Sequence, residues 1–280
     1  MSDEQDWDDI LTVSKQKVGE RFMSWLEANH PDRAKDWQRK REAQPEPFAA
    51  EAVIWETVTR RFGATIEVAD EHGGPDFKCV KDGFTFFVEV ASLDSESVAK
   101  RTGLPNDWEP GARSFGFDHV KVRDVVKKKR KQLGNQPHPV VLAVCCEHAR
   151  SSLLFNELGC REMMFGTLGF SIPLGQESPV VRDIAKFKDS VWLEEKADGS
   201  GVELKSNNPS AIILVSVYER WCEVTGLLHP SPDKAFPYQL FDGVPFRRFV
   251  EWPPTDHVEL EWVIEKPQAK RVSYVIDFKE

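Results

Sequence analysis

Asp76 and Glu89 stand on either side of an Asp82-Gly83 dipeptide, each inside a run of residues that favour strands. Two strand-like runs, 76–80 and 84–92, joined by Asp-Gly carry the strongest short-range hairpin signal. With Asp82 and Gly83 as the two turn residues, opposed positions sum to 165, and Asp76 faces Glu89. The strand period of two puts Phe77, Cys79, Phe84, Phe86, Val88 and Val90 on one apolar face. Asp76, Lys78, Thr85, Phe87, Glu89 and Ala91 share the other. Like charges directly opposite on a sheet destabilise it, and a divalent cation held between two carboxylates removes the conflict. The plainer alternative is a solvated edge, where Asp76 opens a strand after Pro75 and Glu89 points to water. A three-residue loop would set the two acids diagonally instead.

The elements around this hairpin are legible from periodicity and punctuation. Residues 7–41, with Ile10, Leu11, Val18, Phe22, Trp25 and Leu26, read as one or two helices with an apolar stripe. Pro45 and Pro47 interrupt helical geometry and mark a boundary. A helix over 47–62, carrying Ala50, Val53, Ile54, Val58 and Phe62, closes at Gly63, and a short strand spans 64–68. After the hairpin a loop rich in Ser, Gly, Pro and Asp leads to a helix over 117–133 and a buried strand over 139–146. Strands at 210–218, 258–265 and 272–278, a helix near 181–187 and a Pro-rich loop over 229–237 complete the reading. The expected fold class is α/β, a mixed central sheet flanked by helices. Residues 1–45 form a helical N-terminal extension, 46–150 the core, and 151–280 a part that extends the same sheet.

Pro75-Asp76, the hairpin, Glu89-Val90-Ala91 and the order helix, three strands, helix, strand resemble the PD-(D/E)XK superfamily of restriction-endonuclease-like nucleases over residues 48–147. That resemblance implies Mg²⁺ or Mn²⁺ held by Asp76, Glu89 and the backbone carbonyl of Val90. It also implies a glutamate early in the preceding helix, where Glu51 stands twelve residues before Gly63 and Glu56 is the alternative. The motif is short and degenerate, so its specificity lies in the ordered context.

One departure is plain: Ala91 occupies the position of the family's lysine, which positions the attacking water and offsets charge on the phosphate. Some members supply that lysine from the following helix. Here the apolar stripe Val122, Val125, Val126 and Leu133 includes position 129, which is Lys129, spaced for the sheet side of the helix. Such a lysine either snorkels from the edge of the core or aims at the carboxylates. Gln132 resembles the polar residue that often follows a displaced lysine. Lys78, on the face of Asp76, and Lys100, in the loop, are weaker substitutes. Lys127, Lys128, Arg130 and Lys131, together with Lys78, are candidates to hold flanking phosphates.

A net charge of −9 argues against a protein that coats nucleic acid through a broadly basic surface, so local patches must do that work. There are two: Arg39-Lys40-Arg41, and residues 121–131 with seven Lys/Arg against one Asp. No apolar run approaches the roughly 18 residues a membrane span requires, and the acidic start is unlike a secretory signal, so the cytoplasm is the expected compartment. The five cysteines form no CxxC pair and read as buried thiols. Among nine tryptophans, Trp25, Trp55 and Trp262 sit in packing patterns rather than base-stacking ones. His72, beside Gly73-Gly74, is a loop histidine near the acids, and His138, His148 and His229 lack metal-ligand spacing. The leading expectation is metal-dependent hydrolysis of nucleic-acid phosphodiesters, DNA favoured, with a homodimer as the candidate assembly. The alternative is a catalytically silent module of the same fold that binds nucleic acid or a protein partner.

Overall fold

A computed structural model of the protein describes residues 15–69, 74–104, 120–130, 133–171, 182–218, 222–254, 257–263 and 272–276. Ile10, Leu11, His72, Lys131 and Gln132 lie outside these residues. Proline sets the helix starts near the N-terminus. α1 (Lys15–Asn29) stops one residue short of Pro31, and α2 (Pro31–Ala43) begins on it. The first turn of a helix tolerates proline because the missing N–H had no intrahelical partner. For the same reason Pro45 and Pro47 do not interrupt: both lie in the first turn of α3 (Pro45–Glu56), which starts two residues ahead of the sequence expectation. α3 runs on into a π-helical turn, Thr57–Arg61, before Gly63 at φ +65° turns the chain away.

β1 (Thr65–Val68), β2 (Phe77–Lys81) and β3 (Phe84–Leu93) follow as an antiparallel meander. The β2–β3 register pairs Lys81 with Phe84 and Phe77 with Val88, the two-residue turn read from Asp82-Gly83. Both turn residues have positive φ, 51° and 77°, as a type I′ turn demands. The segment after β3, expected as loop, begins with a helix, α4 (Ser95–Thr102). Asp94 caps it by accepting the Ser97 N–H at 2.7 Å, and Gly103 at φ +73° closes it. Val98 is its one large apolar residue, too little to produce a helical stripe in the sequence. Lys100 therefore sits on a helix, not in a loop.

α5 (Val120–Arg130), β4 (Val140–Cys146), α6 (Ser151–Leu154) and α7 (Glu157–Phe165) come next. β5 (Thr167–Ser171) and β6 (Arg182–Lys186) form an antiparallel pair, so the helix expected near 181–187 is a strand followed by a 3-10 turn at Phe187–Asp189. Pairing with two neighbouring strands there overrides local propensity. β7 (Leu193–Glu195) and β8 (Val202–Leu204) make a small separate hairpin. β9 (Ala211–Val217), β10 (Cys222–Leu228), β11 (Phe246–Phe249), β12 (His257–Trp262) and β13 (Val272–Ile276) complete the described strands.

One mixed sheet holds eleven of them in the order β1-β2-β3-β4-β9-β10-β11-β12-β13-β6-β5. It is parallel at β3–β4, β4–β9, β10–β11 and β13–β6, and β4, fourth in the order, lies wholly buried. Alternation divides the core in two. Phe86, Val88, Val90, Val141, Ala143, Cys145, Ile213 and Val215 face the side covered by α1 and α3. Ala91, Leu93, Leu142, Val144, Cys146, Ile212 and Leu214 face the side covered by α4, α5, α6 and α7. All five cysteines are buried free thiols. No described helix is long and apolar enough to cross a membrane.

Candidate active site

Asp76 sits one residue ahead of β2, and its backbone still belongs to the ladder, its carbonyl accepting the Ala69 N–H at 3.1 Å. β3 continues past the point where β2 begins, and there the Asp76 carboxylate stands in for the missing strand: its Oδ2 accepts the Val90 N–H at 2.7 Å. The N–H and C=O of one strand residue leave the same edge of the strand, so the Val90 carbonyl is directed to that side as well. The Val90 side chain goes to the opposite face, into the core beneath α1 and α3.

Glu89 lies next to Val90 on β3 and is 4% exposed, with Leu142 of β4 beside it in the sheet. The Lys129 ammonium reaches it from α5 and bonds Oε1. Val122 and Val126 of the same stripe are buried against the sheet, which fixes the helix face that carries Lys129. Ala91, where the family lysine would stand, is buried against this α5-side core. The solvated-edge alternative for Glu89 is thereby excluded.

A third acid joins from α3. Glu51 is 4% exposed; Lys40 of α2 bonds its Oε1, while its Oε2 is buried without a partner. Burial raises all three carboxyls above their ordinary values. For Glu51, at about 8, the charge of Asp76 adds to burial and Lys40 opposes it. For Asp76, burial is opposed by the Val90 N–H and by Lys129 and Lys40. For Glu89, burial and the charge of Asp76 act together against Lys129. Three acids and two lysines, contributed by α2, α3, α5 and the hairpin, thus feel one another as a largely desolvated cluster.

Glu56 is elsewhere, bonded to Arg21 at 2.6 Å and Arg60 at 3.2 Å, so Glu51 is the helix glutamate near the pair. Lys40 is the site residue that sequence patterning does not single out. Its one sequence signal is membership of the Arg39-Lys40-Arg41 patch, whose members part company in the fold: Arg39 pairs with Asp36 and Arg41 lies over the Phe48 ring. Lys78 is exposed and pairs with Glu67 across β1 and β2 at 3.3 Å, outside this cluster. Lys127 and Lys128 are exposed on α5, and Arg130 is half-buried.

The oxygen donors suit a hard divalent cation such as Mg²⁺ or Mn²⁺. Among the described residues no three His, Cys, Asp or Glu side chains already converge in metal-holding geometry. Lys40 and Lys129 occupy one oxygen each of Glu51 and Glu89 in their place. His148 bonds the Leu104 carbonyl at 3.1 Å and His229 the Ser206 carbonyl at 2.7 Å, both away from the acids. Trp25 and Trp55 pack with Phe22, and Trp262 lies under the Arg247 guanidinium. No protein family, curated protein or solved structure matches this chain.

Proposed function

We propose that the chain is a metal-dependent nuclease of the restriction-endonuclease-like type, hydrolysing phosphodiester bonds of nucleic acid, with DNA the favoured substrate. The observation that carries the reading is the Lys129–Glu89 ion pair beside Asp76, because it supplies from α5 the cation that Ala91 cannot. Asp76, Glu89 and the Val90 carbonyl would hold Mg²⁺ or Mn²⁺, and Glu51 would support them from the rear. A cation held by these groups would supply a lowered pKa for a water and a positive charge on the phosphate. Lys129 orients that water and holds positive charge where the phosphate gains negative charge. The Val90 N–H keeps Asp76 Oδ2 fixed and leaves Oδ1 for other partners. Burial keeps competing solvent from the acids.

The test is incubation of purified protein with single- and double-stranded DNA and RNA under Mg²⁺ or Mn²⁺, beside Asp76→Ala, Glu89→Ala and Lys129→Ala. Cleavage that disappears in the first two and falls by on the order of 10²-fold in the third is expected. Cleavage that persists in Asp76→Ala and Glu89→Ala would sink the assignment.

A further inference from the structure

α5 carries two neighbouring stripes with different destinations. Val122, Val126 and Lys129 face the sheet and the carboxylates. Arg123, Lys127 and Arg130, each one residue on, lie roughly 100° further round the helix. This second stripe lines one wall of a cleft of about 280 Å³, and the far wall includes Lys188 and Lys205 from the C-terminal half. The acids present are Asp124, Asp189 and Glu194. Arg123 pairs with both aspartates, and in all five cations face three carboxylates.

Lys205 is the fixed point of the cleft. Its ammonium donates to the Ser190 carbonyl at 2.6 Å and the Lys188 carbonyl at 3.2 Å, which leaves one of its three protons for a ligand. No carboxylate lies within ion-pairing distance of it, nor of Lys127, Arg130 or Lys188, among the described residues. Burial, with the charges of Arg123 and Arg130, lowers the Lys205 pKa to about 8 against the pull of Glu194, so an oxyanion seated here would relieve a standing repulsion. Among the described residues no aromatic side chain lines the cleft, and its lining suits a phosphate better than a base. On a chain of net charge −9, such a concentration of positive charge is local.

We propose that this cleft seats phosphate oxyanions of a nucleic-acid strand, the continuation of the strand whose scissile bond meets Asp76, Glu89 and Lys129. Only that continuity rests on the nuclease reading. The C-terminal half thereby becomes part of the substrate-binding surface, gripping the backbone without reading sequence.

The experiment is fluorescence anisotropy of a labelled oligodeoxynucleotide, single-stranded and duplex, in EDTA so that nothing is cut. Lys127→Ala combined with Arg130→Ala, and separately Lys205→Met, should each weaken binding about tenfold on any sequence. The dependence of log affinity on log salt should become shallower by about one for each phosphate no longer neutralised. Lys205→Arg should retain binding, and Lys234→Ala, which removes an exposed lysine that does not line the cleft, serves as the net-charge control. The double variant, on the outer surface of α5, carries the test should Lys205→Met fail to fold. Weakening no greater than that of Lys234→Ala overturns the proposal. So does ATP binding that is tighter than oligonucleotide binding and abolished in the cleft variants, which would assign the cleft to free nucleotides. If the cleft variants lose binding while no form of the protein cleaves, the cleft stands and the nuclease reading fails. If they bind as the parent does while Asp76→Ala abolishes cleavage, the reverse holds.

Discussion

Stripping the charge from Lys129 leaves Glu89 buried beside Asp76 with no cation to offset it. Lys129→Met keeps the aliphatic stem, so the loss is electrostatic. The Glu89 carboxyl should rise further, and Mn²⁺ titrations of the variant should require higher pH than those of the parent to reach the same affinity. Glu51 offers a second readout. Its folded pKa of about 8 lies above the ordinary 4.5, so the native state keeps a proton that the unfolded chain has released. Stability from this group is complete below about pH 4.5 and is lost as pH climbs towards 8. Urea midpoints measured without divalent cations should fall over that window, and Glu51→Gln should flatten the fall. His229 works in the opposite sense. Its pKa is lowered from 6.5 to about 4 by burial, so its contribution is present above pH 6.5 and lost as pH drops to 4. That loss is on the order of 3 kcal/mol, and the acid limb of the same profile should shrink in His229→Gln.

At the scale of elements, the β2–β3 turn and the β10–β11 contact are the positions where a single methyl group acts. Gly83 has φ +77° and open space around it, so Gly83→Ala should cost about 1 kcal/mol from backbone strain alone. Gly226 has the reverse problem. A Cβ there would lie 2.1 Å from the ring of Phe246, its partner on β11 and itself fully buried. Gly226→Ala should lower stability by about 1–3 kcal/mol, read from thermal unfolding, and by more than Gly83→Ala. The hairpin register was legible because Asp-Gly selects the I′ turn and alternation locks the faces. α4 was not, since a helix held by Asp94, Gly103 and one buried valine has no periodic signature.

For the molecule as a whole, the sheet runs through the chain without a seam at residue 150. β4 is buried on both faces and paired on both edges, with β3 from the first half and β9 from the second. A chain ended at residue 150 should therefore be insoluble, having lost β9 and the partners of Leu142, Val144 and Cys146. Yield and circular dichroism check it. α1 and α2 are equally integral, since Phe22 packs on Phe48, Trp55 and Phe77 while Lys40 reaches Glu51.

What residues 76–91 specify unaided is local: the type I′ turn, the pairing sum, and the burial of one apolar face, because turn chemistry and a period of two act over a few residues. The α5 stripe, likewise, was enough to aim Lys129 at the sheet. Contacts between distant segments came only with the packed chain. Lys40 meets Glu51 because α2 and α3, begun at Pro31 and Pro45, pack against each other, and Lys205 meets the α5 stripe across 75 residues of sequence from Arg130. Such encounters depend on how layers stack on a sheet, and no pattern within one segment encodes the position of another.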